Sequence, residues 1–152
     1  MTAIELLEHL PAPNEALALA ARLLRPGGLF YLTTPNARSL NSRLLGARWS
    51  AFAPPEHRTI WSPDGLRKAL SAHGLRPEHI ASNGLNPYDL LQTLRPRHRA
   101  QPHGSTGRVE HAYLLNASLS SSPLRRALKR SINAVLSVAG LGDTLKVWAT
   151  LP

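Results

Sequence analysis

Apolar positions in this chain change their period several times, and each change marks an element. Leu17, Ala21 and Leu24 recur at helical spacing, and Leu19 and Leu23 widen the stripe. Asn14 offers an N-cap for that helix, Glu15 places an acid in the first turn, and Pro26-Gly27-Gly28 stops it. Leu29-Phe30-Tyr31-Leu32 is then a continuous apolar run, bounded by the glycine pair and by Thr33-Thr34-Pro35. It predicts a strand over 28–34 covered on both faces, as in a parallel sheet. Helix, tight turn and buried strand form the second half of a crossover unit, so the pattern predicts an α/β fold.

The rest of the chain extends this reading. Residues 2–4 can be only the end of a strand, and 5–10 read as a short helical turn stopped by Pro11 and Pro13. Residues 37–46 predict a short helix with Leu40, Leu44 and Leu45 on one side. Ser62-Pro63-Asp64 combines an N-cap, a proline at the first helical position and an acid. Leu66, Ala69 and Leu70 give that helix its apolar face and Gly74 its stop. Residues 78–83 form a weak strand candidate and 86–94 a short helix, whereas 95–108 show no periodicity and predict a basic loop. Over 123–139, Leu124, Leu128, Ile132, Val135, Leu136 and Ala139 oppose Arg125, Arg126, Lys129, Arg130 and Asn133. The expectation is a helix that covers the sheet or a cleft with its apolar face. Leu145, Val147, Ala149 and Leu151 alternate as a closing strand over 144–151.

Composition narrows the class. A chain of 152 residues with 43% apolar content suits one domain with a core. It holds no apolar run long enough to span a bilayer, and its acidic N-terminus does not read as a secretory signal. The absence of cysteine excludes disulfides and thiolate metal sites, and a cytoplasmic protein is expected. The formal charge of +9 is uneven: nine basic and seven acidic residues up to residue 89, nine and two beyond it. An anionic partner for the second half, such as a phosphate, a lipid headgroup or nucleic acid, is one reading; solvated basic surface is the other. The basic loop lacks interleaved aromatic residues for base stacking, which disfavours nucleic acid.

Three stretches carry a family resemblance. They are Glu5-Leu-Leu-Glu8-His9-Leu-Pro-Ala-Pro13, then Leu23-Leu-Arg-Pro-Gly-Gly28 with its strand and Thr34-Pro35-Asn36, then Arg43-Leu-Leu-Gly-Ala-Arg-Trp49 with Pro55-Glu56-His57 and Trp61-Ser62-Pro63. Together they resemble the class I S-adenosylmethionine-dependent methyltransferases, in the branch of ubiquinone-type O-methyltransferases and enzymes of surface-glycan and natural-product pathways. The resemblance implies the C-terminal half of a Rossmann-like, seven-stranded sheet whose last strand is antiparallel. Residues 2–4, 28–34, 78–83 and 144–151 would be its fourth to seventh strands. Residues 1–84 would form a strand–helix core, 85–139 a variable basic insertion and 140–152 the closing strand. The family's glycine-rich cofactor loop and ribose-binding acid have no counterpart: Gly27-Gly28 and Gly140-Leu-Gly142 each precede a strand rather than follow one. A truncated chain, inactive alone, with a missing N-terminal half or a homodimer completing it, is therefore expected.

The resemblance also points to chemistry. It places Glu5, Glu8 and His9 at the C-terminal end of a central strand, where open α/β sheets bind ligands. Spacings of three and four put Glu5 near both partners on a helical turn. With His57 from the loop after the next strand, two carboxylates and two imidazoles suit Mg²⁺ or Mn²⁺. Small-RNA 2′-O-methyltransferases use a similar Glu-x-x-Glu-His turn and later histidine as a metal site. Without metal, His9 or His57 could act as general base for an acceptor hydroxyl. Glu8, His9 and His57 could equally be bracing groups only. Asn36, Trp49, Phe52 and Trp61 are candidate walls of an acceptor pocket, with simple packing as the alternative. The implied cofactor is S-adenosylmethionine, and the implied acceptor a small molecule, a glycan or a lipid-linked molecule, with peripheral membrane contact through the basic amphipathic helix. The competing function is a non-catalytic interaction module whose basic half contacts RNA or a membrane.

Overall fold

The computed structural model of the chain describes residues 1–86, 89 and 122–152. The elements are β1 (Thr2–Ile4), α1 (Pro13–Leu23), β2 (Leu29–Pro35), α2 (Leu40–Leu45), α3 (Pro63–Ala72), β3 (Arg76–Asn83), α4 (Pro123–Val138) and β4 (Thr144–Thr150). One 3₁₀ turn, Gly46–Arg48, follows α2. The expected helix at 86–94, apart from Asn86 and Asp89, and the expected loop at 95–108 lie outside the described residues.

The four strands form one sheet in the order β1-β2-β4-β3. β1 runs parallel to β2, while β4 is antiparallel to both of its neighbours. β4 has the cleanest alternation: Leu145, Val147 and Ala149 are fully buried and the residues between them are half-exposed. Leu17 of α1 and Leu66 and Leu70 of α3 join Phe30, Leu32 and Leu75 on that face to make the core. Each such leucine contributes about 1.5–3 kcal/mol by leaving water. The opposite face is only half-covered near Tyr31, which packs against Trp148, ring centroids 5.1 Å apart. Burial on both faces, expected for the whole run, holds from Leu32 to Pro35 and fails at Leu29 and Tyr31.

Local chemistry sets the boundaries. α1 begins at Pro13, with Ala12 rather than Asn14 at the N-cap, because proline's fixed φ suits the first helical position and moves the start two residues earlier. Ser39 caps α2, its hydroxyl accepting from the Ser42 amide at 3.0 Å. Ser62 caps α3 in the same way through Gly65, 3.1 Å away. β3 starts two residues before the apolar pattern suggests. Pro77 fits there because β3 is an edge strand and the register skips Glu78 in a bulge. Residues 5–10 form a bend and a turn instead of a helical turn. The largest departure is α4. Its apolar stripe faces away from the body, and of the apolar face only Leu136 is buried.

Candidate functional site

The polar residues of interest gather at the end of the sheet where β1 and β2 finish. β1 ends at Ile4 and the chain bends at Glu5, whose φ of 47° lies in the left-handed region. A non-glycine residue there costs of order 1–3 kcal/mol, which surrounding contacts must offset. The Glu5 amide donates to the Thr33 carbonyl at 3.0 Å and lies 3.2 Å from the Thr33 hydroxyl. The following turn, closed by the His9 amide on the Leu6 carbonyl, carries Glu8 over the end of β2. Thr34 donates its hydroxyl to Glu8 Oε2 at 2.9 Å.

The loop after the 3₁₀ turn completes the arrangement. The Glu8 carbonyl accepts from the amides of Arg58, at 2.7 Å, and Thr59, at 3.2 Å, which brings His57 alongside. A ligand atom from each of Glu8, His9 and His57 lies within 4.8 Å of the other two. The imidazole rings stand nearly edge to face, centroids 4.6 Å apart. His57 Nδ1 lies 2.7 Å from the Ala51 carbonyl and His9 Nδ1 lies 3.0 Å from the Glu56 carbonyl. A carbonyl only accepts, so these bonds place the proton on Nδ1 in both rings. In the neutral ring the Nε2 lone pair is then open.

Glu8 is fully buried, yet its Oε1 has no hydrogen-bond partner, and no basic side chain pairs with it among the described residues. A buried carboxylate oxygen left bare costs free energy that a cation would offset. One carboxylate oxygen and two imidazoles, each oriented by a second bond, make a donor set that a divalent ion fits. Glu5 does not join the mutual set. Its carboxyl pKa is raised, first by desolvation and further by the charge of the neighbouring Glu8 carboxylate and a side-chain hydrogen bond with it; the Thr33 hydroxyl and His57 act the other way.

The aromatic candidates occupy different environments. Trp49 is buried and Trp61 packs against the core with its Nε1 buried and unpaired, whereas Phe52 is exposed. Asn36 is fully buried and its side chain is committed within the protein. Its Nδ2 donates to the Gly142 carbonyl at 2.8 Å and the Gly140 carbonyl at 3.1 Å, and its Oδ1 accepts from the Arg38 amide. It belongs to a clamp that also holds Asn41 and Asp143. Asn41 donates to Asp143 Oδ2 at 2.7 Å, and the same oxygen accepts from the Asn86 amide. Desolvation raises the Asp143 carboxyl pKa, against the bonds from the Asn86 amide, Ser39 and Asn41.

Sequence reasoning did not single out Thr34, Asn41 or Asp143. Thr34 left a signal: period two puts it on the same strand face as Phe30 and Leu32, where a hydroxyl must find a partner. Asn41 and Asp143 are far apart in the chain and left none.

Comparison with known proteins agrees with this architecture. A family model described as a methyltransferase domain matches residues 1–80. Ubiquinone biosynthesis O-methyltransferase of Idiomarina loihiensis is 34% identical over 92 residues, covering 56% of this chain and 37% of its own length. The protein of the same name from Dechloromonas aromatica is 29% identical over 93 residues, covering 57% and 40%. The chain thus spans about two fifths of the length of the curated relatives it matches. Among solved structures, a complex of the Haloferax volcanii Trm112 methyltransferase activator with a methyltransferase aligns at a TM-score of 0.52 and 20% identity, covering 99% of this chain and 52% of that one. The [4+2]-cyclase SpnF aligns at 0.51 and 17% identity, covering 99% and 48%. These likenesses show the fold alone, and SpnF is a reminder that a fold does not fix a reaction. The sheet order, the antiparallel β4 and the family match lead to one conclusion: the chain belongs to the class I S-adenosylmethionine-dependent methyltransferases and holds part of their Rossmann-like sheet.

Proposed function

We propose that this chain supplies the acceptor side of an S-adenosylmethionine-dependent O-methyltransferase, with Glu8, His9 and His57 as its working cluster. The observation that carries this reading is the bare, buried Glu8 Oε1 beside two imidazoles whose Nδ1 atoms are already spent on carbonyls. The two curated relatives named above are ubiquinone biosynthesis O-methyltransferases, and an acceptor hydroxyl must lose its proton as the methyl group arrives. The acceptor class is a small molecule, a glycan or a lipid-linked molecule bearing a hydroxyl.

Glu8, His9 and His57 would hold a divalent ion. Two imidazoles with one carboxylate suit Mn²⁺ better than Mg²⁺, which prefers oxygen ligands. When bound, such an ion lowers the pKa of a neighbouring hydroxyl. The protein's own part is positioning. Thr34 fixes the Glu8 carboxylate, and the Ala51 and Glu56 carbonyls fix the rings. Without a metal, His9 Nε2, on the more exposed of the two rings, takes the acceptor proton. S-adenosylmethionine, when bound, would supply the methyl group; these residues would hold the acceptor oxygen in line with it and take the acceptor proton. Most of the rate comes from holding the two reactants in that line. The glycine-rich loop for the cofactor has no counterpart among the 152 residues. Whichever polypeptide carries that loop would complete the enzyme.

Calorimetric titration of the chain with Mn²⁺, and separately with S-adenosylhomocysteine, tests this. Saturable Mn²⁺ binding that is lost in Glu8→Gln and His57→Ala is expected. Identical binding in those variants would overturn the metal assignment. S-adenosylhomocysteine is expected to give no saturable heat with these residues alone; saturable heat would show that they assemble a cofactor site after all.

A further inference from the structure

Asn41 and Asp143 stand 102 residues apart in the chain and meet as two planar groups. Asn41 is fully buried and Asp143 half-buried. Asn41 Nδ2 uses both of its hydrogens, one on Asp143 Oδ2 at 2.7 Å and one on the Asn86 carbonyl at 3.1 Å. Asp143 Oδ2 accepts a second bond, from the Asn86 amide at 2.7 Å. The atoms left over are Asn41 Oδ1 and Asp143 Oδ1. Both are buried, and neither has a hydrogen-bond partner.

Two bare oxygens on two groups that are already bonded to each other ask for one donor between them. As amide and carboxylate, both oxygens can only accept. Turning the Asn41 amide over does not help, because its oxygen would then face Asp143 Oδ2 and the Asn86 carbonyl, which are acceptors too. A proton on Asp143 Oδ1 serves both atoms at once. The acid donates from Oδ1 and Asn41 Oδ1 accepts, so acid and amide close a ring of two hydrogen bonds, one in each direction. The donors already on Oδ2 fit that ring, since Oδ2 is then the carbonyl oxygen of the acid.

The surroundings offer no cation in place of that proton. Ser39 and Asn41 reach Asp143 from α2 and its cap, the Asn86 amide reaches it from beyond β3, and the Asp143 amide closes on the Gly84 carbonyl at 2.9 Å. None of these groups titrates. Arg43 of α2 is exposed, and Arg76, Glu78 and His79 lie at the far end of β3. Lys146 of β4 alternates onto the sheet face opposite Leu145 and Val147. The stretch from Ser131 to Gly142 carries no charge. Asp89, three residues beyond Asn86, accepts from the Ser50 hydroxyl at 2.7 Å. No charged side chain acts on the Asp143 carboxyl; desolvation favours its neutral form, against the bonds from the Asn86 amide, Ser39 and Asn41.

We propose that Asp143 is a neutral carboxylic acid in the folded chain, and that its proton closes an acid–amide ring with Asn41, a pH-sensitive fastener between α2 and the β3–β4 side of the sheet. Loss of the proton sets a charged Oδ1 against the Asn41 oxygen and opens the ring. This inference does not rest on the methyltransferase reading of the Glu8 cluster.

Carbon-13 NMR of the aspartate carboxyls in the full 152-residue chain, followed through a pH titration, tests it. The chain has three aspartates, Asp64, Asp89 and Asp143, and the Asp143 signal is the one missing from Asp143→Asn. It is expected to keep the shift of a protonated carboxyl while exposed Asp64 ionises. Titration of Asp143 together with Asp64 would overturn the proposal. Asp143→Asn supplies an N–H where the acid supplied an O–H, so its urea midpoint should stay level at pH values where the parent weakens. The exchange Asn41→Asp/Asp143→Asn keeps one acid and one amide. It is expected to unfold near the parent midpoint, with the carboxyl now at position 41 protonated over the same range. An exchanged carboxyl that ionises with Asp64 in the folded protein would also overturn the ring.

Discussion

Two polar clusters flank the end of β2, and they are used in different ways. On one side Glu8, His9 and His57 each spend one atom on the protein: Glu8 Oε2 on Thr34, and each Nδ1 on a backbone carbonyl. On the other side Asn36, Asn41 and Asp143 tie α2 to the two ends of the segment between β3 and β4. In the clamp, Asn36 spends both amide hydrogens and its Oδ1 inside the protein, which fixes geometry, while Asn41 Oδ1 and Asp143 Oδ1 remain unpaired among the described residues. In the cluster one carboxylate oxygen is left bare and the rings are oriented but unfinished. Bare buried atoms occur on both sides, so burial and an unspent atom do not by themselves separate a site from a brace; the company of two oriented imidazoles around the bare Glu8 oxygen does.

The largest effect should come from the cluster. Glu8→Gln is expected to weaken Mn²⁺ binding by more than about a hundredfold while changing thermal stability little, since it removes a buried charge and a ligand together. Calorimetry and a thermal melt on the same sample check both. A large drop in stability with binding intact would turn the cluster into a second brace.

Gly142→Ala attacks the clamp. A Cβ there would sit 2.5 Å from the Asn83 amide nitrogen and 2.6 Å from its Cα, so backbone must move. A loss of about 1–3 kcal/mol in denaturant unfolding is expected, with Mn²⁺ binding preserved in the folded fraction. An unchanged midpoint would show that the clamp is soft.

Thr34→Val probes the shell behind Glu8. It keeps the shape and removes the hydroxyl that fixes Oε2, and a ten- to hundredfold loss of Mn²⁺ affinity is the approximate scale for such partners. Thr34→Ser should restore most of it; equal loss in both variants would assign the effect to packing.

Asp143 and Glu5 make the smallest prediction, a pH dependence. Both carboxyls have folded pKa values raised above their ordinary ones, chiefly by desolvation. The folded state therefore binds their protons more readily. Their contribution is fully present below the unfolded pKa and is lost as pH rises through the folded value. Asp143→Asn keeps an acceptor for Asn41 and the Asn86 amide and removes that part of the slope. Urea midpoints against pH, parent beside variant, would show it. A slope that is unchanged in Asp143→Asn would locate it elsewhere.

The fold was legible wherever one segment carried its own signal. The apolar run of β2, the alternation of β4 and the Ser62-Pro63-Asp64 start of α3 each state their structure locally, because period and capping depend on neighbours in the chain. The cap of α1 misled because Pro13 and Asn14 both suit a helix start, and the ring's fixed φ took precedence. Thr34 was half-visible as a hydroxyl on an apolar face. The pairing of Asn41 with Asp143, 102 residues apart, was not visible at all.

By itself the sequence determined the element order, the family and the residue types available for chemistry near Glu8. These follow from spacing, and spacing survives without a fold. The tertiary structure alone decided which atoms of those residues remain unspent, that Glu5 stands outside the Glu8–His9–His57 set, and that α4 turns its apolar stripe outward. Those outcomes depend on which surfaces meet. A helical wheel shows that α4 has an apolar side, but only the contacts of Leu136, Asn133 and Ser137 show which side meets the protein.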